Sequence, residues 1–266
     1  MAGLDKFYTK TEIALQCINS IDDIDTYDCI VEPSAGAGSF SNQLQCVAYD
    51  IAPEGDNIIE QDFLLLPTNT FNEYKRILFI GNPPFGARST LAKNFIKQSI
   101  KLGATTIAFV LPDTFSKLTN QSCFPKDWSL IKVIKLEGTC FTENGKDYYV
   151  PCSFYIWTKE KTSINLREIK MALPNEFIFL SRGDTAADFS INGNNGKVKN
   201  IEDITNSKAE HYIKITEGYN IETIRDIFSN LKYDFKSSVN GGIAWIGQQD
   251  IIKAYIAYKN DNNINL

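Results

Sequence analysis

Residues 28–50 read DCIVEPSAGAGSFSNQLQCVAYD. A short apolar run at 28–32 passes directly into a turn of proline, serine, alanine and glycine, and a second run at 46–50 ends on the acid Asp50. Brief apolar runs bounded by small-residue turns suit strands buried on both faces, as in parallel sheets. Glycine at 36 and 38 lets another backbone or a ligand approach where a Cβ would collide. On these residues alone the turn either receives a ligand or packs the strand tightly against a helix predicted to follow it.

The same alternation extends in both directions. Residues 9–20 place Ile13, Leu15, Cys17 and Ile18 broadly on one side of a helix. A brief strand is predicted at 58–59, a fuller one at 76–80, then a helix at 90–102 and strands at 105–111, 130–136 and 152–158. Strands alternating with helices predict an α/β fold with a doubly wound, mainly parallel sheet. After Thr158 the texture changes to the polar run KEKTSINLREIK at 159–170. Beyond it, strands at 176–180 and 212–215 and helices at 221–230 and 247–259 predict a small α+β domain. Its strongest turn signal is NGNNGK at 192–197. The boundary is expected near 160, giving domains 1–160 and 161–266.

Composition narrows the function classes. The chain of 266 residues carries a net charge of −5, which disfavours non-specific coating of a phosphate backbone. An enzyme that engages nucleic acid through one local basic surface remains compatible with it. The deficit lies in residues 1–160, with 14 basic and 19 acidic residues, against 13 and 13 in 161–266. The six cysteines are scattered without a CxxC pair, which predicts reduced thiols in an intracellular protein and no zinc site. A single histidine, His211, leaves little room for a histidine triad or a multi-histidine metal centre. No apolar stretch approaches the roughly 20 residues of a membrane span, and MAGLDKFYTK lacks a signal-peptide core, so a soluble protein with no membrane partner is expected.

Several side chains at predicted strand ends carry chemistry. The turn matches GxGxxG only in part, since its third position is Ser41. Glu32 at the strand tip would repel a pyrophosphate and suits a ligand bearing an ammonium. Asp50, at the end of the next strand, is placed as ribose-holding acids are, and Gln61-Asp62-Phe63 offers a carboxylate beside a ring for an adenine. Together they describe a pocket for a nucleoside joined to an amino acid. The decapeptide IGNPPFGARS at 80–89 follows a strand and contains two prolines, which end the strand and set their carbonyls in fixed directions. The Asn82 side-chain oxygen and the Pro83 carbonyl could accept the hydrogens of a planar amine and turn its lone pair toward an electrophile. Phe85 could stack on that planar group. The bland alternative is a strand-ending turn with a core phenylalanine.

These residues resemble the class I, S-adenosylmethionine-dependent amino-methyltransferases, in particular adenine-specific (N6) DNA methyltransferases with an NPPF motif. Asn82-Pro83-Pro84-Phe85 matches the catalytic motif at every position, and the resemblance covers about residues 5–158. It implies a Rossmann-like methyltransferase fold and S-adenosylmethionine as cofactor, with no metal. The implied cofactor site is Phe7-Tyr8-Thr9, Glu32, Ser34, Ala35, Gly36, Gly38, Asp50 with Ile51, Asp62, Phe63 and Asn82. The resemblance further implies a late aromatic against the target base, for which Phe141, Tyr148 and Tyr149 are candidates. Residues 161–266 stand where the family carries target recognition, with Arg182, Lys197 and Lys199 as backbone contacts or simply solvated loop charges. A row of Lys93, Lys97 and Lys101 either follows a phosphate backbone or is a solvated helix face. The expected function is methyl transfer to the exocyclic amine of adenine in DNA. Its rivals are an RNA adenine or guanine methyltransferase and a catalytically silent, cofactor-binding subunit.

Overall fold

The computed structural model describes residues 7–143, 145–233 and 245–266, so residues 5 and 6 of the family resemblance lie outside it. The chain begins with the short strand β1 (Tyr8–Thr9) and helix α1 (Thr11–Asn19), followed by β2 (Cys29–Glu32), β3 (Val47–Asp50), β4 (Ile58–Glu60) and β5 (Ile77–Gly81). Helix α2 (Thr90–Lys101), β6 (Thr106–Pro112), the short α3 (Leu118–Gln121) and β7 (Ser129–Lys135) come next. A hairpin of β8 (Phe141–Glu143) and β9 (Lys146–Tyr148) precedes β10 (Cys152–Thr158). The main sheet has seven strands in the order β4-β3-β2-β5-β6-β10-β7. Strands β4, β3, β2, β5 and β6 run parallel, while β10 is antiparallel to both β6 and β7. This is the doubly wound, mainly parallel α/β sheet predicted from the alternation of strands and helices, with the Rossmann-like character that the resemblance implies.

Period-two alternation sorts the strand side chains onto two faces. Ile77 and Phe79 of β5 join Ile107, Phe109 and Leu111 of β6 in one core, under Ala92, Phe95 and Ile96 of α2. Leu78, Ile80, Ala108 and Val110 face the other way, onto Ala14, Cys17 and Ile18 of α1. The two helices therefore cover opposite faces. The helix expected after the glycine turn is absent: residues 36–43 form successive turns, with the Asn42 amide donating to the Gly38 carbonyl at 3.0 Å. Gly36 and Gly38 both adopt positive φ, +56 and +88, which a right-handed helix does not accommodate.

Contacts divide the chain after Glu168 rather than at the polar change near 160. Arg167 explains the difference. Its guanidinium donates to the carbonyls of Pro125, Trp128, Gln121 and Phe124, at 2.6 to 3.3 Å, and lies over the Trp157 ring. Most of the polar run, up to Glu168, thus belongs to the first unit. The second unit, from Ile169, carries the antiparallel sheet β11-β14-β12-β13, formed by β11 (Phe177–Leu180), β12 (Phe189–Asn192), β13 (Val198–Lys199) and β14 (Glu210–Ile215). Helices α4 (Ile221–Ser229) and α5 (Gln248–Asp261) bury Ile224, Phe228, Ile251 and Tyr255 with Phe177, Phe189 and Ile213 of that sheet. The turn at 192–197 joins β12 to β13 as a hairpin. Among the described residues, no helix is long and apolar enough to cross a membrane.

Trp157 is one of the two buried tryptophans in the core beneath α2. It is fully buried and stacks on Phe124 with centroids 4.0 Å apart, and its indole N–H has no acceptor among the described residues. Trp157→Ala is expected to lower the unfolding free energy of the first unit by about 3–5 kcal/mol in urea titrations. Trp157→Phe should cost clearly less, because no indole hydrogen bond is lost.

Candidate active site

Strands β2 and β5 pair in parallel, with Cys29 opposite Ile77 and Val31 opposite Phe79, so the loops that follow them leave the sheet side by side. The Ser34 hydroxyl donates across this gap to the Asn82 carbonyl at 3.2 Å. Gly81 has φ +144, and a Cβ there would lie 3.3 Å from Glu32 Cγ, so glycine is what admits the neighbouring strand tip.

Asp50 binds the glycine turn to the next strand. Its Oδ2 accepts from the Gly36 amide and its Oδ1 from the Ala52 amide, both at 2.8 Å. Gln61 donates its backbone amide to the Asp50 carbonyl at 2.8 Å, and Asp62 Oδ1 caps the following turn by accepting from Leu64 N–H at 2.9 Å. A strap closes the opposite side. Strand β1 pairs with β8, the Ser39 hydroxyl donates to the Thr9 carbonyl at 2.7 Å, and Asn82 Nδ2 donates to the Phe7 carbonyl at 3.4 Å.

These segments enclose a cleft of 290 Å³ at the C-terminal ends of the parallel strands. Phe7, Tyr8, Thr9, Glu32, Ser34, Ala35, Gly36, Asp50, Ile51, Asp62, Phe63 and all of Asn82 to Phe85 line it, so the structure brings nearly every expected cofactor and catalytic residue to one place. Gly38 lies outside the lining. With φ +88 and an imagined Cβ 2.7 Å from the Asn42 side chain, it serves the turn itself. The lining also includes Ser39, Phe40, Ala52, Leu64, Leu91 and Phe95, which sequence reasoning did not assign to the site. Only Leu91 and Phe95, four apart on the apolar side of α2, left a periodic signal that could have found them.

Polar groups in the cleft differ sharply in how they are satisfied. Asn82 Oδ1 is buried and has no donor among the described residues, although the Nδ2 of the same amide is engaged. A buried acceptor left unmade costs about 1–3 kcal/mol. Glu32 is only 1% exposed and its Oε2 accepts from the Ser41 amide at 2.8 Å. Burial, the dominant cause, pushes its carboxyl up to about 8, against hydrogen bonds from Ser41 and Phe40 that pull it down. Burial thus favours the protonated form of the Glu32 carboxyl. Its Oε2 braces the turn through the Ser41 amide.

The aromatics are layered. Phe63 is a buried core ring, stacked on Phe95 at 5.4 Å, that also lines the cleft. Phe85 packs edge-on against the fully buried Phe141 at 6.4 Å. Phe141 thus sits behind Phe85 and not on the cleft wall, because β8 turns it inward opposite Thr9. Tyr148 is stacked on Phe7 at 4.5 Å, and Tyr149 is 61% exposed; neither lines the cleft. Arg182 and Lys197 are exposed in the second unit. Lys199 is not a free cation: it pairs at 2.8 Å with the buried Glu210, which also accepts from Ser190 and Asn192.

No protein-family model matches the chain, and no curated protein sequence does. Three solved structures show what it is similar to. A proposed RNA methyltransferase of Pyrococcus horikoshii is 10% identical over 58% of this chain and 88% of its own, with a TM-score of 0.44. A proposed methylase of Haemophilus influenzae is 14% identical over 56% and 98%, with a TM-score of 0.38. The magnesium protoporphyrin IX methyltransferase of Synechocystis is 10% identical over 56% and 77%, with a TM-score of 0.34. At these identities and scores, the fold rests on the sheet order and the chemistry on the cleft residues.

Glu32 makes stability pH-dependent in a predictable direction. Its folded pKa, about 8, lies above the ordinary glutamate value of 4.5, so the folded state binds the extra proton between those values. Its contribution is complete below the lower value and declines as pH rises toward the upper one, by at most about 1.4 kcal/mol per pH unit. Glu32→Gln, which keeps an acceptor for Ser41 N–H, should flatten this part of the curve and be more stable than the parent near pH 8 in urea titrations.

Proposed function

We propose that the cleft binds S-adenosylmethionine and that the chain transfers its methyl group to an exocyclic amine, that of adenine in DNA. The observation that carries this reading is Asn82 Oδ1, a buried acceptor with no donor, beside the fixed carbonyl of Pro83 at the end of β5. An amine arriving there supplies the missing donor. In surroundings shielded from water, two fixed acceptors polarise its N–H bonds and direct its lone pair, with no general base needed before transfer.

The lining residues suit such a cofactor. Gly36 has φ +56, and a Cβ there would stand 3.1 Å from the Tyr8 ring, so the turn can hold a ligand close only as glycine. Asp50, oriented by two backbone amides, offers its remaining lone pairs to ribose hydroxyls, and Asp62 offers its second oxygen to an adenine amine. When bound, the cofactor supplies an electrophilic methyl on a sulfonium. Phe85, braced from behind by Phe141, provides a rigid face for the planar target. An adenine within a duplex reaches this cleft only when flipped out or single-stranded. The exposed Arg182 and Lys197 are the candidates for backbone contact in the proposed recognition unit, and Lys199 leaves that set because Glu210 holds it.

Purified protein incubated with radiolabelled S-adenosylmethionine and separate panels of DNA, RNA and protein tests the proposal. Label recovered as N6-methyladenine from DNA is the expected result. Label in RNA or protein would replace the target, and calorimetry without S-adenosylmethionine binding would overturn the reading. Asp50→Ala should weaken cofactor binding by about 1.5–3 kcal/mol per lost charge-assisted hydrogen bond. Asn82→Ala should keep cofactor affinity near the parent while single-turnover methyl transfer falls by about 10²–10³.

A further inference from the structure

We propose that Tyr148 is a positioning residue for Asn82, acting through Phe7 and not by touching the target. The proposal rests on Asn82 Oδ1 being the acceptor for the target amine. A primary amide has two nearly isosteric ends, and only one orientation offers the oxygen. Turned by half a rotation about its last torsion, Asn82 would present its NH2 to an incoming NH2, a repulsive pairing of donors.

The Phe7 carbonyl decides between the two orientations. It can accept from Nδ2, as it does at 3.4 Å, but would repel Oδ1 in the same place. That hydrogen bond is long, so its strength depends on how firmly Phe7 is held. Phe7 is the last residue before the two-residue strand β1, and its only ring neighbour among the described residues is Tyr148, stacked at 4.5 Å with 19° between the planes. The hairpin delivers Tyr148 to that position: Tyr148 pairs with Phe141 across β8 and β9, and Phe141 pairs with Thr9 of the strap. Thr9 is anchored separately by the Ser39 hydroxyl, and the Asn82 carbonyl by Ser34. The Phe7 end of the strap is therefore held by the aromatic stack together with its packing against the core on the α1 side. Tyr148 is absent from the cleft lining, which separates it from a residue that packs on the target.

A double-mutant cycle with an independent spectroscopic readout tests this. Tyr148→Ala is expected to slow single-turnover methyl transfer about tenfold or more, as small losses of alignment do, with cofactor and target affinities near the parent. Tyr148→Phe, which keeps the stack, should restore the rate. Combined with Asn82→Ala, Tyr148→Ala should add nothing, because both act through one amide. In ¹⁵N spectra, the Asn82 side-chain signals, assigned by their loss in Asn82→Ala, should exchange faster with solvent in Tyr148→Ala at unchanged melting temperature. A parental rate in Tyr148→Ala, effects that multiply with Asn82→Ala, or a loss confined to target affinity would each overturn the proposal. If the parent transfers no methyl group, the functional reading falls, while unchanged Asn82 signals in Tyr148→Ala would still refute the coupling.

Discussion

The parallel pairing of β2 with β5 is the constraint from which the rest of the first unit follows. It brings the residues after Glu32 and those after Gly81 to one edge of the sheet, so Ser34 and Asn82 meet although 48 positions separate them. Apolar side chains cover both faces of β5, so a slip of one residue would still bury apolar groups on each side, and alternation alone does not set the register. Polar contacts at the far end do. The Asp28 carboxylate accepts from the Lys75 and Arg76 amides at 3.0 and 2.8 Å, and the Thr105 hydroxyl accepts from the Ile77 amide at 3.0 Å. Side chains remote from the cleft thereby determine what lies abreast within it.

The cleft achieves its polarity with few groups, most of them held by backbone. Asp50 and Asp62 are oriented by amide N–H groups, so their free lone pairs point in set directions before any ligand arrives. Such preorganisation reduces the ordering cost of binding. Glu32 contributes differently. Its buried carboxyl, whose protonated form burial favours, braces the glycine turn through the Ser41 amide. Asn82 Oδ1 stands apart as the acceptor left unpaired. An unsatisfied buried group of this kind is tolerated where function uses it.

The second unit shows the opposite use of polar groups. Glu210 is buried among Ser190, Asn192 and Lys199, a fully paired cluster that ties β12, β13 and β14 together. Removing its cation would leave a buried carboxylate uncompensated. Lys199 is thus part of the architecture of its hairpin, while Lys197, two residues earlier and exposed, stays available to solvent or a partner.

Local sequence determined the elements whose causes are local. Short apolar runs became β2, β3, β5, β6 and β10; the two prolines ended β5; and the acids at strand tips reached the cleft, because period, turn chemistry and strand termination act over a few residues. The tertiary structure decided everything that depends on partners distant in the chain. Burial raised the pKa of Glu32 and made its side chain a brace of the glycine turn, and the hairpin put Phe141 behind Phe85 and Tyr148 onto Phe7. Glu210 took Lys199 out of the exposed set, and four carbonyls drew Arg167 into the first unit. An aromatic or a lysine reads the same in sequence whether it faces solvent, ligand or core. Only the packing of residues far apart in the chain settles which environment it receives, and with it the group's charge, exposure and chemistry.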